Sequence, residues 1–357
     1  MKRILIGVLV VLVLTGAAAI LARGALAEAA MSRLVARNLS SDVIAELPDG
    51  LHAFVCGSGS PLADPDRSGP CLAVIAGERL YVVDAGEGAA ETLTLGRLPP
   101  ARVERVFLTH FHSDHIDGLG ALALQRWAGG AASTPLPLSG PAGVEQVAEG
   151  FNLAYGPDRG YRVAHHGPAV VPPEGFGLAA QPFSPPPPGQ TLTVFEADGL
   201  RVTAFAVDHS PVSPAVGYRF DYKGRSIVVS GDTARSPSLA AAAKGADLLV
   251  HEALSPRLVG LMQKAAVEAG RPNLAKVFAD IPDYHSTPGE AADTARAAGV
   301  QALLLTHLVP PLRIGALRGP FLDGARRRFD GQLWIARDGD LVSLPADGRE
   351  IRRRRSR

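Results

Sequence analysis

Residues 108–120 read LTHFHSDHIDGLG, so His110, His112, Asp114 and His115 fall within six positions at the end of the apolar run RVFL. No other stretch constrains the fold as strongly. A short apolar run bounded by polar residues reads as a buried strand. The cluster therefore lies in a strand-end loop, and IDGLG opens the following helix. In an extended turn, residues two apart point to one side, so His110 and His112 present both rings to one place, with Asp114 and His115 following where the chain curls. Imidazole nitrogen together with carboxylate oxygen is a donor set for borderline-soft divalent ions, zinc above all. The spacing suits two ions better than one, and four residues leave both coordination shells to be completed from elsewhere.

The rest of the chain alternates strands and helices. LHAFVC, CLAVIAG and RLYVVDAG read as successive strands, GALALQRWAGG and PAGVEQVAEGFNLAYG as helices, and hairpins turn at Asp198-Gly199 and Lys223-Gly224. ADLLVHEA and QALLLTHL follow as strands, with PGEAADTARAAG as a helix between them. His209, His251 and His307 close predicted strands, and His285 sits in the loop YHSTPG. Strand ends along one edge of an α/β core are where ligand sites collect. Asp232, in SGDT after a strand, is the natural carboxylate to bridge two ions. The 46% apolar content of the 357 residues supplies a full core, and a net charge of +1 gives no general field for a polyanion.

HFHSDH resembles the signature of the metallo-β-lactamase superfamily. DHSPVSPAVGYRF, SGDT, HEA, YHST and LTHL follow in the order of ribonuclease Z and its arylsulfatase-like relatives, a similarity that covers roughly residues 50 to 340. The resemblance implies an α/β fold, a four-layer αββα sandwich. It also implies one metal on His110, His112 and His209, a second on Asp114, His115 and His307, and Asp232 bridging them. His165 and His166 are rivals for the third ligand. Asp84 of VVDAGEG would orient a ligating histidine or cap the next helix. Two divalent ions are expected, Zn2+ first, with Mn2+ or Fe2+ compatible. A metal-bridging hydroxide would attack a phosphorus or sulfur centre, guided by Asp114, and His285 paired with Glu252 would protonate the leaving group. Diiron redox relatives place a glutamate where His112 stands, and lactonase-like relatives lack the HEA and HST pair.

The expected substrate is small. Between Ile116 and Asp208 there are four arginines, eight acidic residues and no lysine, so no basic arm for tRNA is visible. The function expected is a hydrolase of a small anionic phosphodiester or sulfate ester, with nucleic acid ranked behind it but not excluded. A ribonuclease Z-type 3′-tRNA-processing endoribonuclease is the second reading, and a catalytically inactive membrane-tethered metal-binding protein the third.

The flanks complete the organisation. Lys2 and Arg3 precede the uncharged stretch Ile4 to Ala22, near the length of a membrane span. Residues 1–30 thus read as a signal anchor or, with Ala25-Leu26-Ala27 as cleavage site, a signal peptide. Residues 31–48 read as a linker, 49–345 as the hydrolase domain and 346–357 as a disordered basic tail. Arg23, Arg33 and Arg37 compete with Lys2 and Arg3 in setting orientation, and an exported body is preferred. Cys56 and Cys71 either form a disulfide across the loop GSGSPLADPDRSGP or stay as buried thiols. A homodimer is what ribonuclease Z relatives suggest.

Overall fold

The computed structural model describes residues 2–355, so Met1 of the anchor and the last two residues of the tail lie outside the described residues. The chain divides into an N-terminal unit ending at Val43 and a body beginning at Ile44. The first unit is the helix α1 (Lys2–Ser40). Its segment Arg3–Ile20, with mean hydropathy 2.5, is long and apolar enough to cross a membrane. The expected linker from residue 31 is corrected here, because the helix continues to Ser40. Met31, Arg33, Leu34, Ala36 and Arg37 are good helix formers, and apolarity ends well before helicity does.

In chain order the strands of the body are β1 (Gly50–Gly57), β2 (Cys71–Ala76), β3 (Arg79–Val83), β4 (Val103–Phe107), β5 (Leu136–Pro141), β6 (Leu178–Phe183), β7 (Thr191–Ala197), β8 (Leu200–Ala206), β9 (Val216–Tyr222), β10 (Arg225–Val229), β11 (Leu248–Leu254), β12 (Ala302–Val309), β13 (Gln332–Ile335), β14 (Asp340–Pro345) and β15 (Arg352–Arg355). The helices are α2 (Ala89–Leu95), α3 (Ser113–Ile116), α4 (Leu119–Gly130), α5 (Val144–His166), α6 (Pro237–Ala242), α7 (Pro256–Glu268), α8 (Pro272–Asp280), α9 (Pro288–Ala298) and α10 (Arg318–Leu322).

Two sheets stack face to face. One runs β15-β14-β1-β2-β3-β4-β5-β6 and the other β13-β12-β11-β10-β9-β8-β7. Alternation along each strand sends one side chain inward and the next outward. Leu248 and Val250 thus enter the core between the sheets beside Val74, Phe107 and Tyr218, while Leu249 points outward to the α6 and α9 layer. Leu122 and Trp127 of α4 and Val144 of α5 are buried on the other flank. The four layers are therefore helix, sheet, sheet, helix. Both expected hairpins form: Asp198 and Gly199, like Lys223 and Gly224, all have positive φ, as a two-residue type I′ turn requires.

Two expectations are revised. The tail does not run free: Arg352–Arg355 pair antiparallel with Asp340–Ser343 as the edge strand β15. Arg353 ties it down by bonding Asp340 at 2.6 Å and lying over the Trp334 ring. The helix beginning at Val144 also passes through Pro157 to His166. The missing proline N–H strands the Leu153 carbonyl, but Leu153 is exposed, so water can take the bond. Cys56 and Cys71 are disulfide-bonded, joining the end of β1 to the start of β2.

Candidate metal centre and its cavity

β4 delivers Leu108, Thr109 and His110 to one edge of the sandwich, and the single turn α3 presents Asp114 and His115. His110 and His115 are buried and His112 is half-buried. His209 follows β8, Asp232 follows β10, and His307 comes from β12. Between Glu252 and Ala253 of β11, the pairing with β12 skips His307. His307 is thus the extra residue of a bulge, with φ 46°, and a bulge re-aims one side chain out of the ladder.

Six side chains converge around Asp232. Its Oδ2 lies 3.2 Å from His307 Nε2, 3.3 Å from His115 Nε2, 3.9 Å from His110 Nε2 and 4.0 Å from His209 Nε2. Asp114 Oδ2 lies 3.2 Å from His307 Nε2 and 3.7 Å from His115 Nε2. The donor atoms fall into groups that can hold an ion: His110, His112, His209 and Asp232 in one, Asp114, His115 and His307 in another, and Asp232, His285 and His307 in a third. His110 Nε2 and His115 Nε2 are buried without a hydrogen-bond partner. Interior polar atoms are rarely left so, and a cation between them and the carboxylates would satisfy both. The residues present fit a metal.

The opposite nitrogens are held in place. His115 Nδ1 donates to Asp84 Oδ2 at 2.8 Å, and His209 Nδ1 donates to the Tyr284 carbonyl at 2.9 Å. The Thr109 amide and hydroxyl donate to the two oxygens of Asp84, both at 2.8 Å. Thr109 Oγ1 is then free to accept from His110 Nδ1 at 3.1 Å. These partners put the protons on Nδ1 and leave each Nε2 lone pair facing inward. Asp84 is kept at φ 54°, a conformation costly enough to need such support.

Burial holds His110 well below the ordinary imidazole range and lowers His112 and His209, so all three are neutral, as metal ligation requires. Burial also pulls His115 down, but Asp232 and Asp84 on its two sides carry it well above that range. The excess of carboxylate around His115 is a demand for positive charge.

His285 stands at the rim. Its Nδ1 lies 3.1 Å from Glu252 Oε1, and the same oxygen accepts the Ser286 amide at 2.8 Å and the Thr233 amide at 3.2 Å. Burial disfavours the His285 cation, yet the charge and hydrogen bond of Glu252 outweigh it and push the imidazole up to about 9. A cavity of about 310 Å³ opens over Asp114, Asp232, His285 and His307, with Leu62, Phe278 and Ile281 as an apolar wall.

Residues 79–308 match the family described as a beta-lactamase superfamily domain. Ribonuclease Z of Mycobacterium bovis (strain BCG / Pasteur 1173P2) is 37% identical over 296 residues, 82% of this chain and 98% of that protein. Ribonuclease Z of Mycobacterium marinum is 36% identical over 298 residues, 83% and 99% of the two chains.

The chain belongs to the ribonuclease Z family of the metallo-β-lactamase superfamily.

Solved structures agree on the fold. Human short-form tRNase Z superposes with a TM-score of 0.59 at 22% identity, covering 82% of this chain and 99% of its own. The metallo-beta-lactamase fold protein YhfI from Bacillus subtilis gives 0.59 at 21%, covering 83% and 100%. As a member of this family the chain is a hydrolase acting on ester bonds. The curated relatives, named Ribonuclease Z, reverse one ordering expected from the sequence, in which a small ester stood ahead of RNA.

The structure brings together His110, His112, Asp114, His115, His209, Asp232 and His307, with Glu252 and His285 beside them. His165 and His166 lie exposed at the end of α5 and belong to none of the donor groups found among the described residues. Asp84 caps no helix: α2 begins after Gly88 without a side-chain cap. His251 is buried in β11, its Nδ1 on the Glu252 carbonyl. Thr109 and the Tyr284 carbonyl were missed by sequence reasoning. Adjacency to His110 and His285 was their only signal, since a backbone acceptor has no residue signature.

Proposed function

We propose that this hydrolase cleaves phosphodiester bonds of RNA in the manner of ribonuclease Z. His110, His112 and His209 would hold one divalent ion, Asp114, His115 and His307 the other, and Asp232 both, with zinc the first choice for this donor set. Bound there, the ions would supply Lewis acidity and a water ionisable near neutral pH. Asp114 lines the cavity beside that site and is placed to orient a nucleophile entering it. The ribose oxygen that leaves is a poor leaving group and needs a proton. His285, kept charged by Glu252 and facing the cavity, is placed to donate it. The apolar wall limits access of bulk water.

The His285–Glu252 pair carries this reading, because an acid beside the ions is needed for an alkoxide and superfluous for a good leaving group. The relatives' name, Ribonuclease Z, supports phosphodiester over sulfate. The deciding experiment compares rates on precursor tRNA, a bis-aryl phosphodiester and an aryl sulfate with zinc or manganese supplied. Cleavage of precursor tRNA at its 3′ side is expected. Turnover of the small esters with none on RNA would overturn it, and bound metal with no turnover at all would favour an inactive metal-binding protein.

A second reading, a small phosphodiester cleaved outside the cytoplasm, is favoured by three observations. The segment 116–208 has no lysine and folds largely as α4, α5 and strands, Cys56 and Cys71 are bridged, and α1 has the length and apolarity of a membrane span. Disulfides persist in oxidising compartments. Localising the full chain by fractionation and protease protection tests this reading.

A further inference from the structure

The surface beyond the metal cavity holds a second, larger hollow of about 620 Å³. Arg67, Arg313, Arg318, Arg337 and Arg355 line it, with Asp64, Asp66, Glu91 and Asp338. The carboxylates and cations do not cancel. Asp338 is consumed by the Ser58 amide and hydroxyl and the Ser68 amide. Asp64 faces Arg67 at 3.4 Å, and Arg67 also donates to Ser58 Oγ and the Ala336 carbonyl. The guanidinium groups of Arg318, Arg337 and Arg355 have no hydrogen bond or ion pair among those found in the described residues, and Arg313 bonds only the Ala63 carbonyl. Four cations thus stand against Asp66 and Glu91. They come from separate elements: the loop after β12, the start of α10, the turn between β13 and β14, and the last residue of β15.

The hollow is continuous with the metal cavity. A connecting groove of about 550 Å³ shares Asp64, Pro65, Arg67 and Arg313 with the arginine hollow. It shares Ser60, Pro61, Leu62, Ser113 and Asp114 with the metal cavity, and Glu87 and Asp117 also line it, so the cations that can hold phosphate stand at its arginine end. A guanidinium matches the geometry of a phosphate in a two-pronged bond. We propose that this groove is a track for single-stranded RNA, with Arg318, Arg337 and Arg355 binding backbone phosphates of the strand whose scissile bond lies at the metal cavity. The inference rests on the ribonuclease reading and names what takes the place of a basic arm. A lipid headgroup could also meet exposed arginines, but it would have no use for a groove ending at Asp114.

The test uses the full-length, metal-loaded protein and the triple variant R318Q/R337Q/R355Q. KM for a single-stranded oligoribonucleotide should rise about tenfold or more, and the slope of log affinity against log salt should fall by about 2, at roughly 0.7 per phosphate contact. Hydrolysis of bis-p-nitrophenyl phosphate, too short to reach the arginines, and the melting temperature should be unchanged. Unaltered RNA KM and salt slope would overturn the proposal. So would equal loss on both substrates, which marks a structural role, or loss confined to binding of phosphatidylglycerol vesicles. Fluorescence anisotropy with a labelled oligonucleotide separates this from the catalytic reading. If the wild type binds RNA through these arginines but never cuts it, the track stands and the ribonuclease reading falls.

Discussion

Glu252 Oε1 accepts from His285 Nδ1 at 3.1 Å and from the Ser286 amide at 2.8 Å, so one oxygen both charges the imidazole and fixes the loop that carries it. His285→Ala should therefore lower kcat on RNA by about 10²- to 10⁴-fold, the usual worth of a positioned acid. Hydrolysis of bis-p-nitrophenyl phosphate should fall far less, because its phenolate leaves without a proton. Steady-state kinetics on both substrates checks this, and equal losses would remove His285 from the acid role.

Asp84 receives three hydrogen bonds, two from Thr109 and one from His115. An asparagine has one oxygen to offer in place of two. Asp84→Asn is expected to weaken metal affinity about 10- to 100-fold, read by chelator competition, with the circular dichroism spectrum unchanged. Undiminished affinity would show that the histidines hold their orientation without it.

His52 is a buried structural histidine, with Nδ1 on Ser343 Oγ at 2.8 Å and Nε2 on the Pro48 carbonyl at 3.0 Å. Burial lowers it from 6.5 to about 4. Above pH 6.5 it is neutral both folded and unfolded, and its contribution to stability is complete. As pH falls from 6.5 to about 4 the unfolded chain takes up a proton that the fold refuses, so up to about 3 kcal/mol is lost. Below that the loss stops growing. Urea unfolding from pH 7 to 4 should show this slope in the wild type and a shallower one in His52→Asn.

The disulfide closes a loop of sequence separation 15. Cys56→Ala/Cys71→Ala should cost about 3 kcal/mol by the chain-entropy relation. Matching denaturation midpoints for the variant and the oxidised wild type would show that the bridge adds nothing.

Legibility in the sequence followed locality. His110 to His115 were plain because the ligands lie within six residues at a strand end, and the hairpin at Lys223-Gly224 because two residues determine the turn. His209 could be preferred over His165 and His166 only through the family's motif order, since contacts a hundred residues apart leave no local pattern. The strand β15 was unreadable for a different reason. An edge strand buries little, so RRRR shows no apolar alternation and looks like a solvated end. The arginine hollow was equally hidden, because its members come from five places in the chain.

The pairing of β15 also bears on assembly. A sheet edge normally offers a row of free amides and carbonyls on which a second copy can build, and charged side chains are a common safeguard. Here that outer rail carries four successive arginines, Arg352 to Arg355. Two copies approaching antiparallel along it would set arginine opposite arginine, although Glu350 and Asp340 pair with Arg352 and Arg353. Edge-to-edge self-association of this hydrolase along β15 is therefore disfavoured.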